Sequence, residues 1–123
     1  MSDATTTLAV LKDAVRRFAA EREWEPFHSP KNLAMGLAIE AAELMEHFLW
    51  IDTEASRQVV QDPAQLAEVA DEIADVAVYL LNLSNTLGID LSAAIVSKIA
   101  KNALKYPVEK CRGRYRVEES REG

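Results

Sequence analysis

The sequence predicts an all-α protein, a four-helix bundle-like subunit whose helical core is shared in a homo-oligomer. Three observations carry that prediction. Apolar residues recur at spacings of three and four, no segment shows the alternation of a strand, and the four glycines and four prolines read as punctuation between long periodic segments. The first helix is expected over residues 7–22, where Leu8, Leu11, Val15 and Phe18 make one apolar stripe. A loop over 23–29 holds Trp24, Phe27 and His28. Ser29 then Pro30 is a cap followed by a first-turn proline and opens the second helix, which runs to Trp50 or Ile51. Residues 52–61 are polar, and their state is left open. Asp62-Pro63 repeats the cap signal with Gln65 three residues on, and the third and longest helix runs to Leu87, where Gly88 stops it. The fourth spans about 90–105 and ends before Pro107; the polar remainder reads as a loose or docking tail.

In the run Glu72-Ile73-Ala74-Asp75-Val76-Ala77-Val78-Tyr79-Leu80-Leu81 almost every direction around the axis is apolar, as in a helix covered on several sides. A monomer of 123 residues has a thin core, so a homo-oligomer, dimer or tetramer, is expected, with a compact monomeric bundle as the alternative. Residues 1–123 form one domain in this reading, with 112–123 as its polar tail. Fourteen Lys and Arg against 20 Asp and Glu leave a formal charge of −6, which argues against a nucleic-acid polymer or an anionic membrane surface as partner. No apolar run approaches the ~20 residues that span a bilayer. A single cysteine, Cys111, cannot close an internal disulfide, and the N-terminus lacks a basic-then-apolar leader, so the cytoplasm is the expected location.

The sharpest feature is a pair of acid pairs, Glu40-Ala41-Ala42-Glu43 in the second helix and Glu72-Ile73-Ala74-Asp75 in the third. Residues three apart on a helix share a face, so each pair projects two carboxylates in one direction. Both pairs border apolar stripes: Glu40 and Glu43 lie with Leu33, Leu37 and Leu44, and Glu72 and Asp75 with Val69, Val76 and Leu80. Crowding carboxylates beside apolar surface is costly unless something positive sits among them. A divalent metal answers that need. The plainer alternative is salt bridging by Lys98, Lys101 and Lys105 of the fourth helix. Four carboxylates without a nearby cysteine form a hard oxygen site, which favours Mg²⁺ with Mn²⁺ as a substitute. A di-iron bundle would need repeated Glu-x-x-His pairs, and the chain has only His28 and His47, neither three residues after a Glu. His47 follows Glu43 by four and could serve as one odd ligand.

Glu-x-x-Glu followed by Glu-x-x-Asp on consecutive helices resembles the all-α nucleoside triphosphate pyrophosphatases, the superfamily of MazG, dimeric dUTPases and phosphoribosyl-ATP pyrophosphatase. The likeness is strongest to the dCTP pyrophosphatase group. It extends through FAAEREWEPFHSPKNL, EAAELMEHFLW, DEIADVAVYLL and SKIAKNALKYPV in the same order, sparing the N-terminal residues, the 52–61 connector and the tail. The resemblance implies a MazG-like fold in which Glu40, Glu43, Glu72 and Asp75 hold Mg²⁺ and carry the catalysis. It also implies hydrolysis of a nucleoside triphosphate between the α- and β-phosphates, releasing a monophosphate and pyrophosphate, with dCTP or a modified relative as substrate and pool cleaning as the role. Either Glu43 or Glu40 would take the proton of the attacking water.

Lys98, Asn102 and Lys105 lie at i, i+4 and i+7 on the fourth helix, followed by Tyr106; in the family these positions look like a triphosphate grip. The alternative is a solvated basic last turn that complements the helix dipole. Trp24, Trp50 and Tyr79 match family positions that line a nucleobase pocket, and Tyr79 shares the face of Glu72 and Asp75. Phe27 and His28 read as loop anchors, and Asn32 as a polar first-turn residue. Animal members of the group have a histidine where this chain has Val15, which leaves its base preference open. Two competing readings stand beside this one: a non-catalytic helical interaction module with salt-bridged acids, and a dUTP or general triphosphate pyrophosphatase of the same superfamily.

Overall fold

The computed structural model describes residues 1–114. The fold is all-α as the sequence predicts, and no strand occurs among the described residues. The chain divides into two compact units, 1–89 and 90–123.

The first unit contains α1 (Leu8–Glu21), α2 (Pro30–Leu49), the short α3 (Thr53–Arg57) and α4 (Pro63–Leu87). Each start is set by a side-chain cap that accepts from an otherwise orphaned N–H. Thr7 accepts from Val10, Ser29 from Asn32 at 3.1 Å, and Asp62 from Ala64 and Gln65. Pro30 and Pro63 stand at first helical positions, where no N–H is missed. Gly88, at φ 66°, closes α4 in the left-handed conformation that glycine adopts without strain.

The central member is α4, which packs against both α2 and α1. Between these helices lie Ala19, Leu33, Val69 and Leu81, with Leu33 only 1% exposed. Val59 joins them from a 3-10 turn over Gln58–Gln61. Burying such an aliphatic side chain is worth about 1.5–3 kcal/mol, so the connector helps close the core as well as span it. At the other end, polar contacts tie α1 to the last turn of α4. Asn85 donates through Nδ2 to the Lys12 carbonyl at 2.9 Å, Arg16 donates to Asn85 Oδ1 at 3.1 Å, and Lys12 Nζ donates to the Ile89 carbonyl at 2.8 Å.

The second unit begins with α5 (Leu91–Lys105), capped by Asp90, which accepts from the Ala93 N–H at 2.9 Å. Three details differ from the sequence reading. The 52–61 connector is helical, because Asp52 caps α3 through a 2.7 Å bond from the Ala55 N–H. The segment after Pro107, expected as a loose or docking tail, opens with a helical turn, α6 (Val108–Cys111), which Pro107 starts from a φ of −62°. Gly36 is not punctuation: it lies in the middle of α2. The remaining tail from residue 115 lies outside the described residues. No single helix among the described residues is long and apolar enough to cross a membrane.

Candidate functional site

The acid pairs of α2 and α4 converge. Oxygen atoms from Glu40, Glu43 and Glu72 all lie within 4.8 Å of one another. The pairing of α2 with α4 causes this, since each pair occupies the stripe by which its helix meets the other. Glu40 and Glu72 are half-buried and Glu43 is exposed. Glu40 Oε2 and Glu72 Oε2 are buried without a hydrogen-bond partner. The Glu40 carboxyl is held above its ordinary pKa, first by burial, then by a hydrogen bond to Glu43 and the charge of Glu43, with Asp75 and Glu72 adding further repulsion. Asp75 therefore belongs to the same electrostatic cluster, though it stands at the exposed edge and outside the tight trio.

Among the described residues of this unit no lysine or arginine is ion-paired with these acids; the Arg–carboxylate pairs there are elsewhere, such as Arg17–Asp13 at 3.2 Å and Arg57–Glu54 at 3.2 Å. His47 Nε2 stands 3.7 Å from Glu72 Oε1, a basic side chain at the cluster's border. Two orphaned buried oxygens and a carboxyl driven toward its neutral form mark an acid cluster that the side chains around it do not compensate, and that a cation would. The donors are all carboxylate oxygen, a set that suits a hard divalent cation.

Asp75 also borders a cavity of about 620 Å³ between α1 and α4. Leu11, Ala14, Val15 and Phe18 form its α1 wall, and Val78, Tyr79 and Asn82 continue the α4 wall beyond Asp75. Trp24 and His28 come from the intervening loop. A hydrogen-bonded turn puts Trp24 there. Its N–H reaches back to the Ala19 carbonyl at 3.0 Å and the Glu23 N–H to Ala20 at 3.0 Å, with Glu23 at φ 52°, the pattern of a Schellman closure. Trp24 then packs edge-on against Phe18, ring centroids 5.8 Å apart, and against His28 at 6.0 Å. Asn32 supports the loop by donating from Nδ2 to the Phe27 carbonyl at 3.0 Å, so its side chain is engaged in structure.

Of the aromatics singled out in the sequence, Trp24 and Tyr79 line this cavity and Trp50 does not; Trp50 caps α2 and is 88% exposed. Lys98 and Lys105 are exposed on α5, Asn102 is half-buried there, and Lys105 Nζ lies 5.3 Å from the Tyr106 ring centroid. Two lining or supporting residues escaped the sequence reading, and a third was read for its anchoring role alone. Gly36 faces Tyr79 so closely that no Cβ fits between them. Asn82 sits one further turn along the stripe of Glu72, Asp75 and Tyr79. His28, read as a loop anchor, is bonded to Asn82 at 3.0 Å and also lines the cavity. The available signals were a lone glycine inside a helical pattern and the 3-4-3 spacing from Glu72 to Asn82.

Comparison with known proteins places these features in a family. Residues 36–116 match the model of the MazG-like family. The chain is 41% identical over 108 residues to dCTP pyrophosphatase 1 of Rattus norvegicus, an alignment covering 87% of this chain and 63% of that protein. It is 38% identical over 107 residues to dCTP pyrophosphatase 1 of Homo sapiens, covering 86% and 62%. The chain thus spans just under two thirds of the length of these curated relatives. Among solved structures, a pyrophosphatase from Archaeoglobus fulgidus superposes with a TM-score of 0.76 at 37% identity, covering 87% of this chain and 98% of that one.

Proposed function

The chain belongs to the MazG-like family, and we propose that it is a Mg²⁺-dependent pyrophosphohydrolase that cleaves a deoxynucleoside triphosphate, dCTP or a modified dCTP, between its α- and β-phosphates. The products are the monophosphate and pyrophosphate, and the role is house-cleaning of the nucleotide pool. The observation that carries this reading is the Glu40, Glu43 and Glu72 cluster with its two orphaned buried oxygens. The names of the similar proteins, dCTP pyrophosphatase 1 and a pyrophosphatase, support it.

Glu40, Glu43, Glu72 and Asp75 would hold the ion, with Mn²⁺ as a substitute. When bound, it supplies charge neutralisation at the phosphates and a fixed orientation for the attacking water. A chain of net charge −6 needs that help to receive a triphosphate. Glu40 or Glu43 takes the water's proton. Lys98, Asn102 and Lys105, on one face of α5, donate to the outer phosphate oxygens, with Tyr106 beside them. Trp24 and Tyr79 stack on the base in the cavity, and the exposed indole of Trp50 adds a further stacking face.

Residues 1–123 work as one domain in this proposal, and the family match supports that by running across the boundary at residue 89. A homo-oligomer, dimer or tetramer, is also part of it. Ile39 on α2 and Ile73 on α4 are 60% and 53% exposed, and in the second unit Val96 and Ile99 on α5 are 69% and 63% exposed, apolar side chains that other copies could cover. The single free thiol at Cys111 suits a cytoplasmic site of action, without a membrane or nucleic-acid partner.

A second reading keeps the chemistry and changes the base. Val15 presents only an aliphatic side chain to the cavity and offers the base no hydrogen bond, which keeps open a dUTP or general triphosphate pyrophosphatase. Pyrophosphate release from a panel of triphosphates, with and without Mg²⁺, tests both. Release only with the metal, and its loss in Glu43→Gln at unchanged helical content, is the expected result. No release from any triphosphate would leave the acids as part of a non-catalytic interaction module.

A further inference from the structure

The cavity between α1 and α4 carries an arrangement that the proposed reaction does not account for. Asn82 of α4 and His28 of the loop, 54 residues apart in sequence, meet in its wall through a 3.0 Å contact between Asn82 Nδ2 and His28 Nδ1. An amide nitrogen only donates, so His28 Nδ1 accepts, and the neutral ring then carries its proton on Nε2. One side chain thereby selects the tautomer of another. The ring presents a donor, where the opposite tautomer would present a lone pair.

The position of this pair matters as much as its chemistry. Glu72, Asp75, Tyr79 and Asn82 follow one another at spacings of three, four and three along one stripe of α4. From Asp75 to Asn82 is seven residues of helix, a rise of about 10 Å. That is comparable to the reach of a nucleoside from its 5′-phosphate to the far edge of its base. With phosphates at the acid end and the base against Tyr79 and Trp24, the base edge arrives at Asn82 and His28. The facing α1 wall offers Leu11, Ala14, Val15 and Phe18, none of which can hydrogen-bond through its side chain. Polar reading of the base then falls to the α4 and loop side. A hydrogen-bond donor of fixed identity discriminates strongly, because a base that cannot accept from it leaves a polar group unpaired.

We propose that Asn82 is a specificity-determining positioning residue, which locks His28 in its Nε2–H tautomer so that the ring donates to an acceptor on the substrate's nucleobase. This rests on the nucleotide-hydrolase reading above and adds to it the residue pair that selects the base.

The discriminating variant is Asn82→Asp. A carboxylate accepts only, so it keeps the tie to His28 and reverses the tautomer to Nδ1–H. A role confined to anchoring the loop survives that change; a role in reading the base does not. Steady-state kinetics are measured at a pH of about 9, above the range in which imidazole side chains ordinarily titrate. The panel is dCTP, dUTP, dTTP, dATP and dGTP. The expected result is a KM increase of about tenfold for the substrate the native protein prefers, the worth of one hydrogen bond, and a changed ranking among bases. A uniform change across all five, with the ranking kept, overturns the proposal, since an added negative charge repels every triphosphate alike. A native protein that hydrolyses its substrate while Asn82→Asp keeps the same ranking sinks the proposal alone; a native protein that hydrolyses none of the five sinks the functional reading and the proposal with it. A second measurement needs no variant. Long-range ¹H–¹⁵N spectra of the native protein, which has only two histidines, should show His28 protonated at Nε2. Protonation at Nδ1 overturns the assignment.

Discussion

Gly36 of α2 lies directly against the ring of Tyr79 on α4: a Cβ built on Gly36 would stand 2.8 Å from Tyr79 Cζ and nearer still to Cε1. Both distances are shorter than side-chain contacts tolerate. The missing Cβ lets the two helices close with the ring between them. That same ring borders the cavity and follows Asp75 by one turn. A helix-interior glycine ordinarily costs about 0.5–1 kcal/mol relative to alanine, so its presence here trades helix propensity for the placement of Tyr79.

This trade predicts a reversal of sign in a double-mutant cycle read by urea denaturation. Gly36→Ala in the native background should destabilise by about 1 kcal/mol, since overpacking outweighs the propensity gain. In a Tyr79→Ala background the same change should stabilise by about 0.5–1 kcal/mol. Equal effects in both backgrounds would mean that the two residues do not constrain each other.

The acid cluster predicts a metal effect on stability that depends on pH. The folded-state pKa of Glu40 is raised, by burial first and then by Glu43, Asp75 and Glu72. In metal-free protein its contribution to stability is therefore fully present below the unfolded carboxylate value of about 4.3 and is lost as pH rises through the higher folded value. Mg²⁺ should accordingly raise the melting temperature of EDTA-treated protein clearly at neutral pH and much less near pH 4–5. An equal rise at both pH values would remove the carboxylates as the binding group.

The loop that carries Trp24 predicts a stabilising substitution. Glu23 holds φ 52°, where a residue with a Cβ is strained and glycine is not. Glu23→Gly should leave the Trp24-to-Ala19 bond in place and raise stability by up to about 1 kcal/mol, less what glycine loses in the unfolded chain. A loss of 1 kcal/mol or more would show that the Glu23 side chain has a role of its own.

Removal of the indole at the cavity predicts a binding defect. Trp24→Ala should raise KM for the preferred nucleotide more than it lowers kcat, because stacking holds ground state and transition state about equally. The expected size is about 1–3 kcal/mol of binding, tenfold or more in KM. A KM equal to that of the native protein would take Trp24 out of the nucleotide's path.

Much of this architecture was legible residue by residue. Ser29 and Asp62, read as caps, each cap the helix they precede, because a cap depends on a few neighbouring residues and little else; Thr7 and Asp90, placed at the starts of their helices, are caps as well. The four acids were legible for a similar reason: their spacing of three holds on any helix. The tail's helical turn and the helical connector were not, since short helices draw their stability from tertiary packing, as Val59 does by reaching the core.

By itself the sequence determined the four long helices, their ends, and the presence of two carboxylate pairs beside apolar stripes, all of which follow from local spacing and backbone hydrogen bonding. Only the tertiary structure decided that Glu40, Glu43 and Glu72 share one small volume, that Tyr79 takes its place through Gly36, and that His28 is held by Asn82. Those relationships join residues dozens of positions apart. They depend on how α1, α2 and α4 are rotated and pressed together, and side-chain packing across the whole first unit sets that, which no single segment specifies.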